Sequence, residues 1–430
     1  MSKEKQSGNG LAIIMMIILF AIISFVTGLG GTFASVMKEQ FQASNAMSQL
    51  GTFANFIAYA FMGIPSGILL NKIGYKQTAL TAIVVGIIGL VVQYLSGTFG
   101  SFAVYVLGAF ICGFSMCMLN AVVNPMLNTL GGEGKRGNQL IQIGGTFNSV
   151  SATFVPVFVG YLVGNAVSPT LKDVSPVLFI AMGLFALVGI VLALVKIPEP
   201  SIEKAVKSAV KDKHSALSFR HFVLGAIGIF VYVGVEVGIP NFILVSQTSV
   251  DHGGFNKIIS DTAIAGSIAG TYWFLMLIGR LCGASLGSKI SSKTMLTVAS
   301  ALGMILVVIA IFAPTGKLVS MPVFQSDISF AIVQVPLSWL FLVLCGLCTS
   351  IMWGGIFNLA VEGLGKYVKM ASGFFMVMVC GGGILPWIQG LVADVSTYMT
   401  SYWVIFIALA YLLFYALIGS KNVNKDIPTE

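Results

Sequence analysis

Residues 230–245 read FVYVGVEVGIPNFILV, an apolar stretch whose one charged residue is Glu236. The apolar run continues from about 222 to 246, long enough to cross a hydrocarbon core of about 30 Å as a helix. A carboxylate at the centre of such a core costs about 2.5–3.5 kcal/mol on insertion scales, so a residue of this kind marks function by default. Pro240 follows four residues later and has no N–H to give the carbonyl of Glu236. The sequence therefore predicts a helix break at 240, with a carboxylate and a freed carbonyl side by side. That is the equipment of a proton or small-cation site.

The rest of the chain repeats this solvent choice. Hydrophobic residues make up 57% of the 430, charged residues 9%, and mean hydropathy is +0.96. Apolar runs recur at about 11–36, 48–70, 77–96, 102–130, 139–164, 175–195, 222–246, 262–286, 294–313, 336–361, 369–393 and 401–419. The first run is too long for a signal-peptide core and is read as a span. Assigning loops alternately to two faces puts 18 of the 23 lysines and arginines on the face of the termini, and only Lys38, Lys172, Lys257 and Lys317 on the other. The positive-inside rule then places both termini in the cytoplasm, in an inner or plasma membrane. The net charge of +8 follows from that asymmetry, and no basic stripe on a soluble domain speaks for nucleic acid. All six cysteines fall inside spans and read as small buried residues, while His214, His221 and His252 lie in loops or at a span edge. Membrane metalloenzyme or haem chemistry thus has no histidine to use, and no cofactor is expected.

The basic, polar stretch 196–220 divides the spans six and six, giving bundles at 1–195 and 221–430 joined by a cytoplasmic linker. Weak internal matches follow the same division. NKIGYK at 71–76 returns as SKISSK at 288–293, CGFSMCMLN at Cys112 as CGLCTSIMW at Cys345, and PVFVG at Pro156 as PWIQG at Pro386, with offsets of 217, 233 and 230. Matches in order at near-constant spacing indicate parallel repeats, with a substrate site between the halves near the midplane. Lys72, Lys76 and Lys289 in the repeated loops suit either a cytoplasmic gate or a positive-inside anchor. Arg280, in LIGRLCG, either joins that gate or snorkels to the inner surface.

Amides are frequent inside the spans. Asn120, Asn124 and Asn128 recur at i, i+4 and i+8, forming one stripe along span 4. Asn55, Gln142, Asn148, Asn241, Asn358 and Gln389 add further amides, and Trp273, Trp353 and Trp387 add flat apolar faces. A sugar uses both surfaces, amides for its hydroxyls and an aromatic plate for its C–H face. Any one amide serves equally well as glue between helices. As a set they imply a polar, uncharged substrate, because too few cations lie inside to hold a phosphate.

Several segments carry a family resemblance: PSGILLNKIGYK, NAVVNPMLNTLG, GGTFNSVSATFVP, YVGVEVGIPNFIL, MLIGRLCG, IFNLAVEGLG and FFMVMVCGGGILP. In this order, over nearly the whole chain, they resemble the fucose–galactose–glucose branch of the major facilitator superfamily. The resemblance implies an all-α membrane protein of twelve helices in two pseudo-symmetric bundles, a monomer surrounded by lipid. It also implies alternating access and uptake of a hexose-type sugar with a cation, Na+ or H+. On the fucose-transporting side of that branch, acids stand at the positions of Gly31 and Asn120, and glutamines at Gly145 and Glu236. Their absence points to glucose or galactose, with Glu236 as the coupling residue or a Na+ ligand. An L-fucose:H+ symporter and an uncoupled sugar uniporter are the alternatives.

Overall fold

The computed structural model describes residues 3–130, 135–163, 170–195, 197, 214–247, 262–286, 290–314, 316–424 and 426–428. Among them are twelve helices long and apolar enough to cross a membrane. Spans 1–6 are Gly10–Phe41, Leu50–Leu70, Lys72–Phe99, Phe102–Leu127, Ile143–Leu162 and Ser175–Leu194. Spans 7–12 are Arg220–Ser246, Ile264–Gly283, Ser292–Phe312, Leu337–Val361, Gly373–Val395 and Tyr398–Gly419. Helices are what lipid demands, since each backbone N–H and C=O must find its partner inside its own segment. The sequence places all twelve in the same order. Most of the 196–220 linker lies outside the described residues.

Two details differ from the sequence reading. Span 7 does not break at Pro240: its helix runs from Arg220 to Gln247. With no water in the core to take freed backbone groups, the turns flanking a proline stay helical. The Tyr402 hydroxyl from span 12 also donates to the Ile239 carbonyl at 3.1 Å. The interruptions fall in spans 10 and 11 instead, where helix stops at Thr349 and resumes at Met352, and stops at Met378 and resumes at Gly381. Gly74, in NKIGYK, makes the turn between spans 2 and 3. Its φ of 84° lets spans 2 and 3 reverse with almost no loop. Five cysteines are buried as expected, but Cys282 is exposed.

A two-stranded antiparallel hairpin stands between spans 9 and 10. Strand β1 (Leu318–Phe324) pairs with β2 (Phe330–Pro336) from Leu318↔Pro336 to Phe324↔Phe330. At its turn the Asp327 carboxylate accepts from the Ser329 N–H and hydroxyl, which holds that carboxyl below the usual carboxylate range. The tip reaches back to span 8, where Thr271 accepts from the Phe324 N–H at 2.9 Å. The Phe324 ring packs between Phe274 of span 8 and Phe154 of span 5.

The first six and last six spans meet chiefly on the face opposite the linker. Span 5 lies against span 8, span 2 against span 11, and span 1 against span 7. Glycines allow the approach. A Cβ on Gly266 would stand 2.2 Å from the Pro156 carbonyl oxygen, and one on Gly390 would stand 2.6 Å from the Ala46 Cα. Such small-residue seams bring transmembrane backbones into contact. Polar ties reinforce them. The Asp394 carboxylate accepts from the Asn45 and Ala46 N–H groups at 2.7 and 3.0 Å. Lys38 donates to Asn45 at 2.6 Å and to the Tyr398 hydroxyl, which in turn donates to Asn45. That face is shut.

Candidate functional site

On the linker side the two sets of spans diverge around a chamber of about 1100 Å³. Ser292 and Met295 at the start of span 9, and Leu281 and Gly283 at the end of span 8, line its mouth. Its wall is built from spans 1, 2, 4 and 5 on one side and spans 7 to 11 on the other.

Six of the candidates for sugar contact reach this wall: Asn120, Asn124, Asn148, Asn241, Asn358 and Trp353. Helical periodicity explains the pair on span 4, since residues four apart share a face. The Asn124 amide donates to the Asn120 carbonyl at 3.0 Å, and the Asn120 amide donates to the Tyr59 hydroxyl at 3.0 Å. Asn148 donates to the Phe20 carbonyl at 3.2 Å, and Asn358 to the Ser292 hydroxyl at 3.4 Å. Asn124, Asn148 and Asn358 have further hydrogen-bonding capacity on their oxygens and second N–H groups, while Asn120, whose nitrogen also donates to the Met116 carbonyl, keeps its oxygen. Asn241 crosses between the two sets, donating to Gln49 at 3.1 Å and Thr52 at 3.4 Å. It fills the space beside Gly31, where a Cβ would lie 2.0 Å from the Asn241 Oδ1. Trp273 also lines the chamber.

Other candidates lie elsewhere. Asn55 is buried within the first set, where it donates to the Ala109 carbonyl of span 4 at 3.3 Å. Gln389 is fully buried and donates to Ser401 of span 12. Trp387 packs on Phe53 with ring centroids 5.6 Å apart, in the seam between spans 2 and 11. Lys72 is exposed, while Lys76 donates to the Ala193 and Val195 carbonyls at 2.8 Å, capping the end of span 6 in its own set. The Gln142 side chain and Lys289 lie outside the described part of the molecule.

Glu236 and Arg280 are the charged side chains of the chamber wall among the described residues, and they touch each other. Arg280 Nη2 donates to Glu236 Oε1 at 3.2 Å, with the two side chains 19% and 14% exposed. Arg280 neither snorkels nor points to the loops. Its second nitrogen, Nη1, crosses to the first set and donates to the Ser149 hydroxyl at 2.7 Å and the Gly145 carbonyl at 3.1 Å. One guanidinium therefore joins spans 7, 8 and 5. Its planar fork suits that task, holding several fixed donors at once. Sequence reading found both members of the pair but not their contact. Ser149 carries no signal of its own, since a serine on an apolar helix is ordinary, and Gly145 stands out only as a departure from the fucose-transporting side of the family.

The chain is 29% identical over 425 residues to the glucose/galactose transporter of Brucella abortus (biovar 1, strain 9-941), covering 97% of this chain and 96% of that protein. It is 24% identical over 421 residues to the L-fucose-proton symporter of Escherichia coli K12, covering 91% and 90%. Among solved structures, the transporter FucP in its outward conformation is similar with a TM-score of 0.67 at 21% identity, covering 95% of this chain and 99% of that one. The family model described as Major Facilitator Superfamily matches residues 15–386. Twelve membrane spans, a chamber between two sets of six and this match together make the chain a member of the Major Facilitator Superfamily, a transporter family and not an enzyme.

Proposed function

We propose that this protein is a cation-coupled symporter that takes up a hexose-type sugar such as glucose or galactose by alternating access. One observation carries the reading: the chamber presents amides and indole faces around a single, internally balanced charge pair among the described residues. An uncharged, hydroxyl-rich solute fits that wall, while a multiply charged anion would leave its charges uncompensated. The names of the relatives agree with a sugar. Asn120, Asn124, Asn148, Asn241 and Asn358 supply hydrogen bonds, and Trp353 supplies the stacking plate. Glu236 is the coupling residue, since a cation bound there loosens its pairing with Arg280 and so favours one arrangement of the two sets over the other.

In this reading residues 1–195 and 221–430 are the two rocking bundles, with 196–220 as their cytoplasmic tether. The lysine and arginine distribution orients both termini to the cytoplasm of an inner or plasma membrane. The shut face is then external and the chamber opens inward. A facilitative uniporter is the second reading, favoured by one specific observation: Arg280 already compensates Glu236 without any ion. Uptake of radiolabelled glucose and galactose into proteoliposomes separates the two. A symporter concentrates sugar under an imposed ion gradient and still exchanges it when gradients are collapsed. A uniporter only exchanges. Failure to move either hexose overturns the sugar assignment.

A further inference from the structure

Three polar side chains meet where the chamber ends against the shut face. Gln49 stands between the short helix Asn45–Ser48 and span 2, and Thr52 follows three residues later. Both are buried. Across the seam the Asn241 nitrogen, from span 7, donates to Gln49 Oε1 at 3.1 Å and to the Thr52 hydroxyl at 3.4 Å. Those two bonds take up both N–H groups of Asn241. Its Oδ1 occupies the room left by Gly31, where a Cβ would lie 2.0 Å away. In this arrangement Asn241 lines the chamber but serves the seam. The layer is also incompletely satisfied. Gln49 Nε2 is buried and has no hydrogen-bond partner among the described residues. An unpaired buried amide nitrogen costs free energy, so its retention calls for a use elsewhere in the cycle.

Rocking the two sets apart at this face draws Asn241 away from Gln49 and Thr52, because span 7 carries the one and span 2 the others. Each wall of the opened side then presents a free primary amide, with a hydroxyl beside one of them. A primary amide offers an acceptor and donors side by side, which matches neighbouring sugar hydroxyls, each able to donate and accept. We propose that Gln49, Thr52 and Asn241 form a sugar-entry subsite of the outward-facing arrangement, and that the same three groups seal that face by bonding one another once the sugar has moved inward. The unpartnered Gln49 N–H finds its acceptor in a sugar hydroxyl. Sealing and binding exclude each other, since one Asn241 nitrogen serves both. The face therefore shuts only after the sugar has passed on toward Asn120 and Asn124, deeper along the chamber.

The subsite rests on the sugar-transport reading with the shut face external, and its test keeps the two apart. Full-length protein is assayed in right-side-out and in everted membrane vesicles. Singly deoxygenated glucoses and galactoses compete there with the labelled intact hexose at initial rate. On each face, the ratio of the deoxy analogue's half-inhibition constant to that of the intact sugar reports one hydroxyl's contact. Any shift in the balance of open and shut forms cancels in this ratio, because both ligands meet the same population. At the external face of the parent protein, at least one hydroxyl should give a ratio of about five to a hundred, the effect of an unmade buried hydrogen bond. In Gln49→Ala that ratio should collapse toward one, while the ratios at the cytoplasmic face stay as in the parent. Thr52→Val keeps the shape of its side chain and should lower an external ratio in the same one-sided way, which decides the matter if Gln49→Ala does not fold. External ratios like the parent's in these variants overturn the subsite and leave sugar transport standing. Ratios that fall equally on both faces overturn its confinement to the outward-facing arrangement. A parent protein that exchanges neither hexose overturns the sugar reading and the subsite with it.

Discussion

Glu236 and the amides illustrate what single residues disclose. An acid in an apolar run is expensive, so its presence alone marks a functional position. Its partner was equally visible as Arg280, but a contact between residues 44 apart depends on how span 8 rotates, and that is fixed by packing. We expect Glu236→Gln to abolish gradient-driven accumulation while sugar counterflow survives. Retained accumulation would move coupling elsewhere. The amides were harder to sort, because an asparagine facing a neighbouring helix and one facing a cavity look alike in sequence. The structure divides them. Asn124→Ala and Asn358→Ala should each weaken sugar binding about five- to hundred-fold, the cost of roughly 1–3 kcal/mol for an unmade buried hydrogen bond. Asn55→Ala should instead lower thermal stability and leave sugar affinity unchanged, because its amide bonds span 4 within the first set. Binding titration beside a melting curve checks both halves of that contrast.

Among the elements, the twelve spans were legible because the length and polarity of each run decide it alone. The hairpin was not. Its alternating Val319, Met321 and Val323 sit between two much stronger apolar signals and read as loop. The span-7 break failed for the opposite reason: a local rule about proline was overruled by a solvent that offers freed groups no water. Glycines carry the tightest element contacts. Gly266 and Gly270, four apart on span 8, would set added Cβ atoms 2.2 and 2.9 Å from the Pro156 and Thr153 carbonyl oxygens of span 5. Gly266→Val should hold spans 5 and 8 apart on the face opposite the linker. Spin labels placed on their outer ends should then show a longer distance than in the parent protein, and an unchanged distance would show that the seam can yield.

At the scale of the molecule, the contacts between the two sets obey a simple rule. Adding six to span 5 and subtracting six from span 8 turns the pair 5–8 into 11–2, the other large seam, and span 1 meets its own counterpart, span 7. Parallel repeats predicted from weak sequence matches would give this pattern. The conformation itself was not legible, since one sequence must encode both the open and the shut arrangement. Here the shut face is held by glycine seams and by the cluster of Lys38, Asn45, Asp394 and Tyr398. Combining Lys38→Ala with Asp394→Asn should open that face, raising maleimide labelling of a cysteine introduced at Thr52 while the twelve spans stay folded. The balanced pair in the chamber has an electrical consequence as well. With Glu236 ionised, the pair carries one positive and one negative charge, so the empty carrier crosses the membrane field with no net charge from this site. Neutralising Glu236 leaves Arg280 uncompensated, and the loaded leg moves a positive charge. A potential acts on that leg with about 2.3 kcal/mol per charge per 100 mV for a full traverse. Sugar should therefore evoke an inward current on a supported membrane, an interior-negative voltage should hasten uptake, and the return of the empty carrier should be indifferent to voltage.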